Sequence, residues 1–193
     1  MKTDKLSADI KEFLGRQATV IFLDTSRKFV GLLETEDISK EEFYSKAHIA
    51  ILELYLAGHK LEQIELKYSP DDRDFDRDAI FEHKNVGQIS ELGAEAFYWE
   101  VFDPRYSEKD GQPDTGWVVT DREASQGWLI DDFEDIYRDL KIELLKIDSI
   151  GTDEAVEDAL WNFKWSFVNH WGQHAVNAIR YFHYLTYDGK PTI

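Results

Sequence analysis

The chain has 193 residues, 42% of them apolar and 14% aromatic, with 39 Asp and Glu against 22 Lys and Arg, a formal charge of −17 and no cysteine. Length and apolar content point to one folded domain over residues 1-193 and exclude a disordered chain. The missing thiols exclude disulfides, thiolate zinc sites and cysteine catalysis, and the acidic balance argues against nucleic acid or a membrane surface as partner.

No apolar run approaches the roughly 18 residues that span a bilayer, and Met1 to Ser7 lacks the apolar core of a signal peptide, so a cytoplasmic protein is expected. In chain order, the first helical region runs from about Ser7 to Glu34, interrupted near Gly15, with Phe22, Phe29, Val30 and Leu33 on one face. Ser39 and Glu42 form a start signal for a second helix, whose stripe of Phe43, Ala47, Ala50, Ile51 and Leu54 ends near Gly58. A third helix is predicted after Ser69-Pro70, where Asp71 and Asp72 suit the positive end of the dipole, with its end at Gly93. Phe97 to Phe102 reads as extended and is predicted to pair with Trp117-Val118-Val119, a short hairpin near residues 97-120. Residues 103-127 form a turn-rich insertion.

Helical period returns from Leu129 to Ile147, with Phe133, Ile136, Tyr137, Leu140 and Leu144 on one side, and Gly151-Thr152 closes that helix and caps the next. From Ala159 to Tyr187 there is no Asp or Glu, and Lys164 and Arg180 are the only formally charged residues apart from His. In so charged a chain this segment is expected to be central. Val156, Leu160, Phe163, Phe167, Trp171, Ala178, Phe182 and Leu185 share a face, with Trp161, Trp165 and Ile179 adding apolar surface elsewhere. The predicted architecture is mainly α: an irregular multi-helix bundle around a long C-terminal helix, kinked or divided at Gly172.

The series Asp131 to Leu140, Asp158-Ala159-Leu160-Trp161, Trp171-Gly172-Gln173 and Asn177 to Arg180 resembles the bacterial domain of unknown function family 5063. The resemblance is clearest over Asp131 to Leu185 and includes Glu100 to Pro104. It implies a mostly helical bacterial domain of about this length and supplies no activity.

Candidate chemistry lies in four places. Asp132, Asp135 and Asp139, spaced by three and four, share a helix face and suit a cation, although pairing with Lys164, Arg180 or His183 is the favoured reading. His170 and His174 offer two nitrogens at a helical metal-site spacing, yet no metalloprotease Glu follows His170 and both rings are expected on the apolar side, as hydrogen-bonded core histidines. Asn162, Ser166, Gln173, Asn177 and Tyr184 form an uncharged polar stripe beside Arg180, read as a buried network in preference to a pocket in which Arg180 holds an anion. Trp99, Tyr106, Trp117 and Trp128, in the turn-rich region, either cap the bundle or form a binding surface.

No nucleophile elbow, phosphate loop or dinucleotide fingerprint is present, and no cofactor is expected. The leading expectation is a non-catalytic interaction module binding a basic protein, an immunity-like role being one version. The alternative is a metal-dependent hydrolase or small-ligand enzyme built on His170, His174 and the Asp132, Asp135, Asp139 stripe.

Overall fold

The computed structural model describes residues 5–35, 38–68, 96–100, 108–109, 112–113 and 124–187. Helix α1 (Ala8–Gly15) and helix α2 (Gln17–Leu33) are separated at Arg16, whose extended backbone breaks the ladder next to Gly15. Helix α3 (Lys40–Lys60) starts where its cap residue dictates: Ser39 Oγ accepts from the Glu42 amide at 3.2 Å. Glu42 does not reach back to complete a capping box but pairs forward with Lys46.

Strand β1 (Phe97–Glu100) pairs antiparallel with β4 (Ser125–Trp128), so that Phe97 opposes Trp128 and Tyr98 opposes Gly127. The extended reading at Phe97 holds, while the strand seen beside it is Ser125–Trp128; Trp117-Val118-Val119 lies outside the described residues. Within the insertion, β2 (Glu108–Lys109) and β3 (Gln112–Pro113) pair with each other. The helix expected after Ser69-Pro70 also lies outside the described residues.

Helix α4 (Leu129–Leu145) continues into a wider π turn over Lys146–Ile150. Gly151 ends it in the left-handed conformation, with φ of 63°, which costs glycine little. Thr152 Oγ1 then accepts from the Ala155 amide at 3.4 Å to start α5 (Asp153–Asn169).

The long C-terminal helix is in fact two. Helix α5 stops at Asn169, His170 adopts φ −145° and ψ −88°, and α6 (Trp171–Tyr187) sets off in a new direction. The division therefore falls two residues before Gly172, and the glycine permits it. A β-carbon at Gly172 would collide with the Phe167 carbonyl oxygen.

Helix α6 is the central element, packing against α3, α4 and α5, while α2 packs on α3 and α4. Phe133 lies among Phe29, Phe43 and Phe182, with ring centroids 5.7 to 6.2 Å apart. Trp171 is fully buried against Phe22 and Phe167, and it sits so close to α3 that a β-carbon on Gly58 would come within 2.5 Å of its ring. Each such side chain contributes on the order of 2–3 kcal/mol by leaving water. The apolar surface expected around the other side of α5 stays in solvent: Trp165 is 48% exposed and Val168 67%, with Trp165 stacked on Trp161.

Two buried polar ties complete the frame. Glu157 Oε2 accepts from the amides of Lys67 and Tyr68, both at 2.8 Å, and so holds the extended segment after α3. The Lys146 ammonium, turned inward by the π turn, lies 2.8 Å from Glu143 and 2.6 Å from Asp158. One buried cation faces two carboxylates, with Asn162 beside Asp158. Burial pushes Glu143 up from 4.5 to about 7, against the pull of Lys146.

Two outcomes are expected. Gly172→Ala should cost about 3 kcal/mol in urea unfolding, because the contact it creates is with backbone. Since the folded-state value of Glu143 is raised, its contribution to stability is fully present below pH 4.5 and lost as pH rises through about 7, because the folded state then gives up a proton that it binds more tightly than the unfolded chain does. Glu143→Gln should therefore gain on the wild type between those pH values in urea midpoints.

Candidate functional site

The spacing of Asp132, Asp135 and Asp139 puts their carboxylates along one edge of α4, and the α4–α6 packing brings that edge against the corner where α5 gives way to α6. The two histidines sit at that corner: His174 lies in the first turn of α6, and His170 immediately precedes it, with its carbonyl accepting from the Gln173 amide at 3.0 Å. The imidazole centroids are 5.0 Å apart. Five residues singled out in the sequence thus meet in one place.

Their partners differ from those expected. The His170 Nδ1–H faces Asp139 Oδ2 at 2.8 Å, and the His174 Nδ1–H faces Asp132 Oδ1 at 2.9 Å. Lys164 instead caps the end of α3, donating to the carbonyls of Gly58 and His59 at 3.0 and 3.1 Å. Arg180 is exposed, and His183 packs its ring on Tyr184 and Tyr187. Nor are the histidines core residues, since the side chain of His170 is 45% exposed and that of His174 22%.

With each Nδ1 engaged by its own aspartate, each Nε2 turns toward the third. Asp135 Oδ2 lies 3.4 Å from His174 Nε2 and 4.0 Å from His170 Nε2. Asp135, His170 and His174 can each offer one ligand atom such that all three lie within 4.8 Å of one another. Donors bound at about 2.1 Å to one ion stand roughly 3.0–3.4 Å apart, so the His174–Asp135 pair is already in place and His170 must close on it by about 1–2 Å.

Asp132 is 2% exposed and its second oxygen accepts from the Tyr98 hydroxyl at 2.5 Å. Burial raises Asp132 despite the hydrogen bonds of His174 and Tyr98. Burial opposes a charge on His174 as well, but the hydrogen bond to Asp132 and the nearby Asp135 and Asp131 outweigh it, and the imidazole is raised. Asp139 is raised by burial in the same way.

Two clefts open on the cluster, and His170 and Asn169 border both. One, of about 410 Å³, is walled by Glu100, Trp128, Asp131, Gln173 and Asn177. The other, of about 690 Å³, runs along α4 and α5 past Arg138, Asn162 and Trp165. The uncharged polar stripe is therefore divided. Gln173 and Asn177 face the first cleft, where Asn177 donates to Glu100 at 2.7 Å, and Asn162 with Ser166 faces the second. Arg180 and Trp99 line neither, Trp99 standing 68% exposed on the ribbon. Trp117 and Tyr106 lie outside the described residues.

Sequence reasoning missed Tyr98 and Glu100. Their signal was the alternation along β1, in which Phe97 and Trp99 point one way and Tyr98 and Glu100 the other, the polar pair facing the site.

A family model described as "Domain of unknown function (DUF5063)" matches residues 15–188. The chain belongs to the DUF5063 family. This DUF5063 fold is similar to the crystal structure of protein BF1032 from Bacteroides fragilis, with a TM-score of 0.69 and 21% identity over 94% of this chain and 99% of that one. At that identity the likeness establishes the fold alone. No curated protein matches this DUF5063 chain.

Removing Asp132 would leave both His174 and the Tyr98 hydroxyl without their partner in a nearly closed site. Asp132→Ala is expected to cost about 2–3 kcal/mol in chemical denaturation. Asp139→Ala, at a wetter position, should cost under about 1 kcal/mol.

Proposed function

We propose that this protein binds one divalent transition-metal ion through His170 Nε2, His174 Nε2 and Asp135 Oδ2, and that it acts as a metal-dependent hydrolase. The observation that carries this reading is the division of labour among three aspartates and two histidines. Asp132 and Asp139 each face one Nδ1, and Asp135 faces both Nε2 atoms; with a metal bound, each Nδ1–H would donate to its own aspartate and each Nε2 would offer its lone pair to the ion. Histidine ligands oriented by outer carboxylates are the usual construction of zinc and related sites.

Two imidazoles and one carboxylate suit zinc, iron(II) or manganese better than calcium, and they leave coordination positions open. When bound, such an ion supplies Lewis acidity and lowers the pKa of a bound water toward neutrality, which is the chemistry of hydrolysis. The chain's own residues do the rest. Asp132 and Asp139 hold the rings, the buried α4–α6 packing keeps Asp135 opposite them, and the two clefts give a small molecule room on either side.

Elemental analysis of protein purified without chelators should find about one metal per chain. His170→Ala/His174→Ala, folded by circular dichroism, should lose it, and Asp135→Asn should weaken metal retention at least tenfold. Metal-loaded protein should hydrolyse members of an ester and amide panel, and chelation should abolish that activity. A metal-free wild type that also fails to bind zinc, iron(II) or manganese on titration would sink the reading. The acidic interaction module, by contrast, rests on net charge and on the aromatic region that includes the exposed Trp99 and Trp128.

A further inference from the structure

Resting on the metal-site reading, we infer that Tyr98 on the β-ribbon is a positioning residue for the metal ligand His174, acting through Asp132. The three side chains form an unbroken series. The Tyr98 hydroxyl donates to Asp132 Oδ2 at 2.5 Å, and the other oxygen of the same carboxylate receives the His174 Nδ1–H at 2.9 Å. The far nitrogen of that ring is the one facing Asp135.

The geometry leaves Asp132 little freedom. It is 2% exposed, so a carboxylate rotated away from Tyr98 would lose a hydrogen bond with no water to replace it. With both oxygens engaged by neighbours on different elements, its plane is set, and that plane sets the plane of the imidazole. Among the described residues His170 has no such third member, and its partner Asp139 has a side chain that is 25% exposed. The two ligands are thus held unequally, which accords with their spacing, since His174 already stands 3.4 Å from Asp135 while His170 stands 4.0 Å away.

The ribbon is built to place Tyr98. Its ring lies across Gly127, its partner in the β1–β4 register, and a β-carbon at Gly127 would collide with that ring. On the outer side, Phe97 stacks on Trp128 with centroids 5.5 Å apart and planes 12° from parallel. This stack locks the register of the two strands. Tyr98 also packs on Tyr181 of α6, with centroids 6.1 Å apart, so the ring is supported by the helix that carries His174. Asn177, one turn beyond His174, ties the next β1 residue on that face, Glu100, to the same helix.

Tyr98→Phe keeps the ring and removes only the hydroxyl. Zinc affinity measured by competition with a chromophoric chelator should fall about tenfold in this variant, and the visible spectrum of the cobalt(II)-loaded protein should shift. Gly127→Ala should produce the same two changes by displacing the ring. Trp99→Phe, on the solvent side of β1, should change neither. A purely structural role for Tyr98 predicts a lower melting temperature with unaltered affinity and cobalt spectrum, and that result would overturn the inference while the metal site stands. A wild type that binds neither zinc nor cobalt would overturn the parent reading and this one with it.

Discussion

The Trp171 indole is fully buried between α3 and α5, and the arrangement of the site depends on that placement. It is packed against Phe22 and Phe167 and pressed onto the glycine surface of α3 at Gly58. Once the indole is there, the residue before it must stand at the rim, and Gly172 must lie close enough to Phe167 to exclude any side chain. The corner between α5 and α6 is a by-product of burying one large aromatic group. His170 is exposed because Trp171 is not.

From this corner the polar architecture follows in order. Helix α6 packs on α4, and α4 offers its aspartates at intervals of three and four, the spacing that returns to one side of a helix. The apolar positions interleaved with them, Phe133, Ile136, Tyr137 and Leu140, are the core contacts that hold the helix at its depth. Asp132 is therefore drawn nearly into the interior while Asp135 and Asp139 stay at the edge. A graded series of burial along one helix gives three chemically identical side chains different neighbours and different tasks.

The sequence made much of this legible, for reasons visible in particular residues. Capping at Ser39 and Thr152, the left-handed exit at Gly151 and the aspartate periodicity are local, and each appears where its chemistry requires. The central position of the last segment followed from its lack of carboxylates. Its division was marked by Gly172 to within two residues; the break falls at His170, where Trp171 turns in against Gly58 of α3. The pairing of histidines with aspartates was hidden. It joins residues 31 and 42 positions apart, and only the tertiary fold decides that they meet each other before Lys164 or Arg180. Tyr98 was obscured by the two exposed rings that flank it in a four-residue strand.

Among the described residues, the five side chains of the cluster are all supplied by the stretch from Asp132 to His174. The N-terminal helices bury the back of that stretch and contribute no side chain to the cluster. Chemistry and scaffold thus occupy separable portions of the chain. The aromatic residues of α2 and α3 can be exchanged, so long as volume and the close approach at Gly58 are kept, without touching the cluster, and the rim can vary without disturbing the foundation. Such a division lets the rim and the two clefts beside it vary on one fold at little risk to folding.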